Sequence, residues 1–161
     1  MLVDIAKLPS YRVERVIDGD SLVLTSVFQR IEKTRLMGVD SPELKQDWGN
    51  EAKQFLSDLI EGELVYVEDH GKDSFKRQLV TLYLRDIKRG VFINVNELLI
   101  LLGHAWVATH HKKTLNQRRA DNLLAKWKWA KQRKLGMWSL SGHQAPWEYR
   151  AAKRNKALKA N

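Results

Sequence analysis

Short runs that alternate between polar and apolar residues dominate the first half of the chain and predict β-strands. Two of these runs, 11–17 and 21–25, flank a turn at 18–20 and predict a hairpin with glycine in its connection. A third run, 30–39, ends before Pro42, which lacks an amide hydrogen and disfavours further pairing. Further strands are predicted over 63–69 and 78–86, with a short strand or helix entry over 91–94.

Apolar residues recur at helical spacing in three other segments. The first, 48–61, carries one apolar stripe and lies between the third and fourth strands, and the second is 95–102. A long helix is predicted over 116–135, with Trp129 on the side opposite its apolar stripe. Five strands with a helix between the third and the fourth have the order of an OB-fold. The sequence therefore predicts an α+β protein, a five-stranded OB-fold β-barrel with three helices.

The length of 161 residues accommodates one ordinary domain with a single hydrophobic core. We predict an N-terminal tail over 1–9, the OB-fold domain over 10–140 and a basic, tail-like C-terminal extension over 141–161. No run approaches the roughly 18 apolar residues of a membrane span. The first residues also lack the basic start and long apolar run of a signal peptide.

Charge is distributed unevenly along the chain, whose net charge is +9. Residues 1–103 contain 14 basic and 17 acidic side chains, whereas residues 104–161 contain 14 basic and two acidic ones. A strongly cationic last third is typical of proteins that bind a polyanion, either nucleic acid or an anionic membrane. A solvated basic helix and tail explains the same pattern equally well, so charge alone leaves both interpretations open.

Acidic residues at the ends of predicted strands are candidate metal ligands. Asp18 and Asp20 lie in the hairpin turn, and Asp40 and Glu43 follow the third strand. Carboxylates on neighbouring turns can converge on one hard cation, which prefers oxygen ligands. Turn formation alone also accounts for aspartates at such positions. The chain contains no cysteine, which excludes disulfides, thiolate zinc sites and thiol nucleophiles.

Two arginines near these turns are candidates for phosphate binding. Arg35 lies in the third strand and Arg77 just before the fifth. A guanidinium can hold a phosphate through two parallel hydrogen bonds, and with a divalent cation and a carboxylate it is suited to phosphodiester hydrolysis. A surface position is the alternative for each arginine taken singly. Because Arg35, Arg77 and Glu43 lie at strand ends, away from apolar stripes, replacing them is expected to change stability little.

Six ordered segments carry a resemblance to a known family. They are VIDGDSLVL at 16–24, RLMGVDSPEL at 35–44, the spacing Gln46…Gly49…Ala52, DSFKRQLVTLYL at 73–84, VNELLILLGHA at 95–105 and KLGMWS at 134–139. In order and spacing they resemble the staphylococcal (micrococcal) nuclease family. APWEYR at 145–150 resembles an ending often seen in bacterial members. The resemblance implies the OB-fold barrel with three helices, and calcium-dependent cleavage of DNA and RNA that leaves 3′-phosphate ends.

The resemblance also implies a Ca²⁺ site and a general base. Asp20 and Asp40, together with the backbone carbonyl of Ser41, match the calcium ligands of the family. Ser41 replaces the family's usual threonine, a mild change because the ligand is the carbonyl. Glu43 matches the carboxylate that contacts the metal through water and activates the attacking water.

The resemblance, and the places where this chain departs from it, indicate further residues around the site. Arg35 and Arg77 match the two arginines that hold and stabilise the phosphoryl group, and Asp18 matches an acidic position of secondary importance. Lys76 adds a charge close to the phosphate. His111 aligns with one of two nucleotide-contacting tyrosines, so both Lys76 and His111 are predicted to bind substrate. A solvated loop position is the alternative interpretation of His111.

Three functional hypotheses follow. The first is a monomeric, calcium-dependent nuclease with DNA and RNA substrates, for which the resemblance favours a secreted or periplasmic location. The second is a noncatalytic nucleic-acid-binding OB module. The enzyme is favoured over it because the chain retains all five residues of the implied active site, which are Asp20, Arg35, Asp40, Glu43 and Arg77. The third is a binder of anionic membranes, which would need a broader apolar face than residues 150–161 offer.

Overall fold

Five strands curve into a closed barrel in the computed structural model, which describes residues 3–108 and 115–159. The barrel strands are β1 (Ser10–Val16), β2 (Ser21–Thr25), β3 (Arg30–Leu36), β5 (Leu64–Lys72) and β6 (Gln78–Asp86). Three shorter strands are β4 (Val39–Asp40), β7 (Val91–Asn94) and β8 (Trp106–Val107). The α-helices in the described ranges are α1 (Gly49–Ile60), α2 (Val95–Leu101), α3 (Gln117–Gln132) and α4 (Pro146–Lys159).

One parallel pairing closes the barrel. β1, β2 and β3 form an antiparallel meander, β1 also pairs with β5, and β5 pairs with β6. β3 and β6 then pair in parallel, with Thr34 opposite Gln78 and Arg35 opposite Leu79. This closure confirms the predicted α+β class and the five-stranded OB-fold barrel. It also sets the start of β6 beside the second half of β3, where Arg35 lies.

Alternation along the strands fills the barrel with aliphatic side chains. Along β1, Val13 and Val16 are buried while most of their neighbours face solvent. α1 contacts β1 and buries one side of its apolar stripe, through Ala52, Leu56 and Ile60. The resulting core anchors the turns that follow β1 and β4, and rigid elements of this kind position side chains accurately.

The third predicted strand, 30–39, divides into β3 and β4. Met37 and Gly38 form a turn between them, and Gly38 adopts a positive φ of 77°, which glycine tolerates without steric cost. β4 then pairs with β8, with Asp40 opposite Trp106. The break brings Asp40 back to within hydrogen-bond distance of Arg35 on the preceding strand.

Four tryptophans form an aromatic cluster beside the barrel. The ring of Trp106 packs edge-on against Trp138 and Trp147, with centroids 4.6 and 5.5 Å apart, and lies 6.1 Å from Trp127. Trp138 is buried in this cluster, and Trp106 and Trp127 are partly buried. Trp129 is partly exposed, as its place opposite the apolar stripe predicts.

The segment 141–161 contains α4, a helix that its tail-like composition does not predict. Pro146 is buried and Trp147 joins the aromatic cluster, whereas the cationic side chains from Lys153 onward are exposed. The helix is thus docked through its first turn and solvated along the rest. None of the helices in the described ranges is long and apolar enough to cross a membrane.

His104, just after α2, is held in its neutral form. Its ring stacks on Phe55 with centroids 4.1 Å apart, and its Nδ1 accepts a hydrogen bond of 3.2 Å from Trp48 Nε1. Burial lowers the pKa of His104 to about 4. The unfolded chain, with an ordinary histidine pKa of 6.5, therefore binds a proton between pH 6.5 and 4 that the folded protein does not bind.

We expect the free energy of unfolding to fall as the pH drops from 6.5 towards 4, by about 3 kcal/mol through His104. Urea unfolding of His104→Gln should show a weaker loss over this range, because glutamine does not titrate. If His104→Gln and the wild type lose stability equally on acidification, His104 is not the group responsible.

Candidate active site

The β1–β2 turn and the residues after β4 are in direct contact. Ser41 Oγ donates a hydrogen bond of 2.8 Å to the carbonyl of Gly19, and the Ser41 amide donates one of 2.6 Å to Asp20 Oδ2. Gly19 has no space for a side chain, because a Cβ there would lie 2.6 Å from the Cβ of Ser41. This close approach brings two separate turns, and with them Asp20 and Asp40, to one place.

Arg35 lies between these two aspartates. Its Nη1 is hydrogen-bonded to Asp20 Oδ1, and its Nη2 donates to Asp40 Oδ1 at 2.9 Å and to the Val39 carbonyl at 3.1 Å. The exposed fractions of Arg35, Asp20 and Asp40 are 6%, 2% and 0%. The β2–β3 register, which sets Ser21 opposite Arg35, places the arginine beside the turn. Three predicted site residues thus form one buried ion-pair network.

The electrostatics of this network follow from burial and from the paired charges. Burial by itself would raise the pKa of Asp40, but hydrogen bonds from Arg150 and the charge of Arg35 hold that pKa below its usual range. Burial lowers the pKa of Arg35, yet a guanidinium keeps its proton in proteins. The Nε of Arg35 is buried and has no hydrogen-bond partner among the described residues. The network therefore contains one strong hydrogen-bond donor, the Nε of Arg35, that has no acceptor among the described residues.

Glu43 lies on a loop that is fixed by close backbone packing. Gly49, the first residue of α1, approaches it so closely that a Cβ on Gly49 would lie 2.0 Å from the Glu43 carbonyl oxygen. The Gln46 side chain accepts a hydrogen bond of 3.2 Å from the Glu43 amide, and the Gln46 amide donates one of 2.8 Å to the Glu43 carbonyl. These contacts explain the Gln46…Gly49 spacing. The Glu43 side chain itself is 41% exposed, so water reaches its carboxylate.

Arg77 lies on the β5–β6 hairpin and is held by Asp73. The Asp73 carboxylate accepts hydrogen bonds from Arg77 Nε at 2.8 Å and from the amides of Phe75 and Arg77 at 2.9 and 3.0 Å. The positive charge of Arg77 adds to burial in lowering the pKa of Arg35. Asp73 is a positioning residue that the sequence did not single out, and an aspartate in a turn four residues before an arginine is the signal for it.

The other predicted residues lie in different places. Asp18 Oδ1 accepts a hydrogen bond of 3.0 Å from the amide two residues further on, and burial raises the pKa of Asp18. This hydrogen bond from the Asp20 amide orders the β1–β2 turn. Lys76 lies beside Arg77 at a positive φ of 60° and lines a cleft together with Lys33 and Lys72. His111 lies outside the described residues.

Arg150 of α4 completes the site, although the sequence did not single it out for the chemistry. Its Nη1 donates to Glu43 Oε1 at 2.9 Å and to Asp40 Oδ1 at 3.1 Å, and its Nη2 donates to Asp40 Oδ2 at 2.9 Å. These hydrogen bonds raise the pKa of Arg150. The only sequence signal for this residue is its place at the end of APWEYR.

The chemistry of the donor atoms at the site suits a hard divalent cation. Asp20, Asp40 and Glu43 offer oxygen atoms alone, the ligands that calcium and magnesium prefer. In the described ranges, no group of three or more His, Asp or Glu side chains has an arrangement that would hold a metal ion. The carboxylates instead face the guanidinium groups of Arg35 and Arg150.

The barrel, the two arginines and the carboxylates at adjoining turns define a class, that of OB-fold enzymes acting on phosphodiesters. The family described as staphylococcal nuclease homologue has a sequence model that matches residues 33–140. The chain therefore belongs to the staphylococcal nuclease family, as its motifs predict, and it is a hydrolytic nuclease.

Individual relatives support this assignment. An uncharacterised endonuclease of Escherichia coli O157:H7 is 32% identical over 143 residues, which cover 88% of this chain and 85% of that protein. A micrococcal nuclease of Shigella flexneri is 29% identical over 160 residues, covering 96% and 89%. A probable staphylococcal-like nuclease of Oryza sativa subsp. japonica is 32% identical over 136 residues, and the chain spans 25% of its length.

Proposed function

We propose that the protein is a calcium-dependent nuclease that hydrolyses phosphodiester bonds of both DNA and RNA and leaves 3′-phosphate ends. The observation that carries this proposal is the convergence of Asp20, Arg35, Asp40 and Glu43, from separate turns and strands, on one hydrogen-bonded network. Membership of the nuclease family supports the proposed reaction class.

The arginines bind the phosphoryl group and stabilise its charge. Arg35 carries the buried Nε donor without a partner in the described part of the chain, and a phosphoryl oxygen would accept a charge-assisted hydrogen bond from it. Arg77 is anchored by Asp73 with its side chain 28% exposed, so it remains accessible from the hairpin. Two guanidinium groups stabilise the negative charge that grows on the phosphoryl oxygens in the transition state.

Glu43 is the general base. Its exposed carboxylate takes a proton from the water that attacks phosphorus, and the bond from phosphorus to the 5′ oxygen then breaks. The 5′ oxygen acquires a proton from solvent, and the phosphate stays on the 3′ side. Asp20, Asp40 and the Ser41 carbonyl would hold calcium, which when bound neutralises phosphate charge and orients water.

The substrate approaches along cationic surface. Lys33, Lys72 and Lys76 line the cleft next to the Arg77 hairpin, and 14 of the basic residues lie between 104 and 161. Lysines at these positions would contact phosphates without reading sequence, which favours a nonspecific nuclease.

The proposed function is tested by incubating plasmid DNA and total RNA separately with the protein in calcium, in magnesium and in EGTA. We expect both nucleic acids to be degraded in calcium and to remain intact in EGTA. Magnesium should support cleavage poorly, because it demands a tighter octahedral shell than a calcium-sized site offers. Equal degradation in calcium and in chelator would contradict the calcium requirement.

Glu43→Gln is expected to lower kcat by about 10²–10⁴-fold, because glutamine cannot accept the proton of the attacking water. The fold should survive, since the side chain is half exposed and glutamine retains its shape. Initial rates on single-stranded DNA, with circular dichroism as the folding check, measure the effect. Glu51→Gln, at an exposed position of α1, removes the same charge and should leave kcat unchanged. A Glu43→Gln protein with wild-type kcat would exclude Glu43 as the base.

A further inference from the structure

Arg150 is hydrogen-bonded to Asp40 and Glu43, two of the carboxylates that the family resemblance assigns to the cation. Its two terminal nitrogens grip both oxygens of Asp40, at 3.1 and 2.9 Å, and one of them also reaches Glu43 at 2.9 Å. Asp40 is fully buried, so its charge requires a partner in the folded protein. Within the described ranges, that partner is supplied by Arg35 and Arg150 together.

Contacts on either side of Arg150 fix it in place. The Gln46 side chain donates a hydrogen bond of 2.5 Å to the Gln144 carbonyl, and the Tyr149 hydroxyl lies 3.5 Å from the Lys45 carbonyl. Trp147 packs on the aromatic cluster. The start of α4 is therefore tied both to the loop that carries Glu43 and to the barrel's aromatic flank, and Arg150 is presented to the carboxylates by a docked helix.

The charges at the site show what this arginine does. Asp20, Asp40 and Glu43 carry three negative charges, and Arg35 and Arg150 carry two positive charges. With Arg150 in place, a divalent cation would meet a net charge of only −1. Without Arg150 the same carboxylates and Arg35 leave −2, which matches the cation. The number of ligand charges is a main determinant of calcium affinity.

We propose that Arg150 is a tethered cation that competes with the divalent cation for Asp40 and Glu43, so that calcium binds by displacing the guanidinium. This inference rests on the cation site of the proposed function. In the absence of calcium, Arg150 neutralises the buried Asp40 and keeps the site ordered. Because calcium has to displace the guanidinium before it binds, a higher calcium concentration is needed to fill the site. The docked α4 helix therefore sets the calcium concentration at which the enzyme becomes active.

Isothermal titration calorimetry with calcium tests the competition on the 161-residue protein, with no substrate present. We expect Arg150→Gln to bind calcium about tenfold or more tightly than the wild type, because a positive charge next to the ligands is gone. Arg154→Gln, one turn along α4 at an exposed position, removes the same charge from the same helix and should bind as the wild type does. Arg150→Lys, which retains the charge, should lie between the wild type and Arg150→Gln.

Thermal unfolding gives a second readout. Without calcium, Arg150→Gln should unfold at a lower temperature than the wild type, since Asp40 has lost a partner. Calcium should raise the Tm of Arg150→Gln more than that of the wild type. Should Arg150→Gln not fold in the absence of calcium, the comparison is made between Arg150→Lys and the wild type, in which the lysine variant should bind more tightly.

The outcomes separate this inference from the proposal on which it rests. Calcium binding by the wild type with equal or weaker binding by Arg150→Gln would overturn the competition and leave the calcium site intact. Failure of both proteins to bind calcium would overturn the calcium site and the competition together. Binding by Arg150→Gln alone, with none by the wild type, would support the competition.

Discussion

Replacing Arg35 with alanine is expected to lower turnover by at least about 10²–10³-fold, because one positioned transition-state donor is lost. The same change should destabilise the fold by about 3–5 kcal/mol, since it removes the ion-pair partner of buried Asp20 and one of the two partners of buried Asp40. Asp20 and Asp40 are 2% and 0% exposed, so water cannot replace the guanidinium. Initial rates on the folded protein measure the first effect, and urea unfolding measures the second.

Lysine at the same position separates charge from geometry. Arg35→Lys should be nearly as inactive as Arg35→Ala, because a single ammonium cannot reproduce the fork that reaches Asp20, Asp40 and the Val39 carbonyl. It should be less destabilised, because a positive charge remains between the aspartates. Wild-type turnover by either variant, with folding confirmed, would remove Arg35 from the mechanism.

Replacing Arg77 with alanine is expected to lower turnover by about 10²–10³-fold as well, but with little effect on stability. Its partner Asp73 is joined to it by a partly exposed ion pair, and such pairs contribute about 0–1 kcal/mol. Arg89, which pairs with Asp86 at 2.8 Å in the β6–β7 turn, provides the matched control. Arg89→Ala should retain wild-type kcat, and equal losses in the two variants would show that the effect of Arg77 is not specific.

Local pattern was sufficient for most of the barrel and for the residues inside its motifs. The hairpin around Gly19, the apolar stripe of α1 and the strand that ends near Pro42 follow from alternation, helical periodicity and turn chemistry. The break of the third strand at Gly38 was not predicted, because apolar residues continue through it. That break depends on the pairing of β4 with β8, which is a contact distant in sequence.

The burial of Arg35 and the role of Arg150 were beyond what the sequence could indicate. The place of Arg35 near a strand end suggested that its side chain is exposed and that its loss would change the stability of the fold little. The β2–β3 register and the turn at Asp20 bury it instead. Arg150 lies 110 residues from Asp40, in a cationic segment that resembles a tail. The charge run gives no indication that one of its members turns inward, and the APWEYR segment alone does not assign Arg150 a partner.

The chemistry of the cleaved ends tests the nuclease mechanism most directly. Single-stranded DNA and RNA oligonucleotides, labelled at the 5′ end, are incubated with the 161-residue protein in calcium. The labelled products are treated with a 3′-phosphatase and separated by electrophoresis. If Glu43 and the two arginines produce 3′-phosphate ends, both substrates give labelled fragments. The electrophoretic mobility of these fragments then falls after phosphatase treatment, because each fragment loses the charge of one phosphate. No fragments should form in EGTA, and few with Arg77→Ala over the same time. Intact oligonucleotides in calcium, or fragments that the phosphatase leaves unchanged, would contradict the proposed reaction.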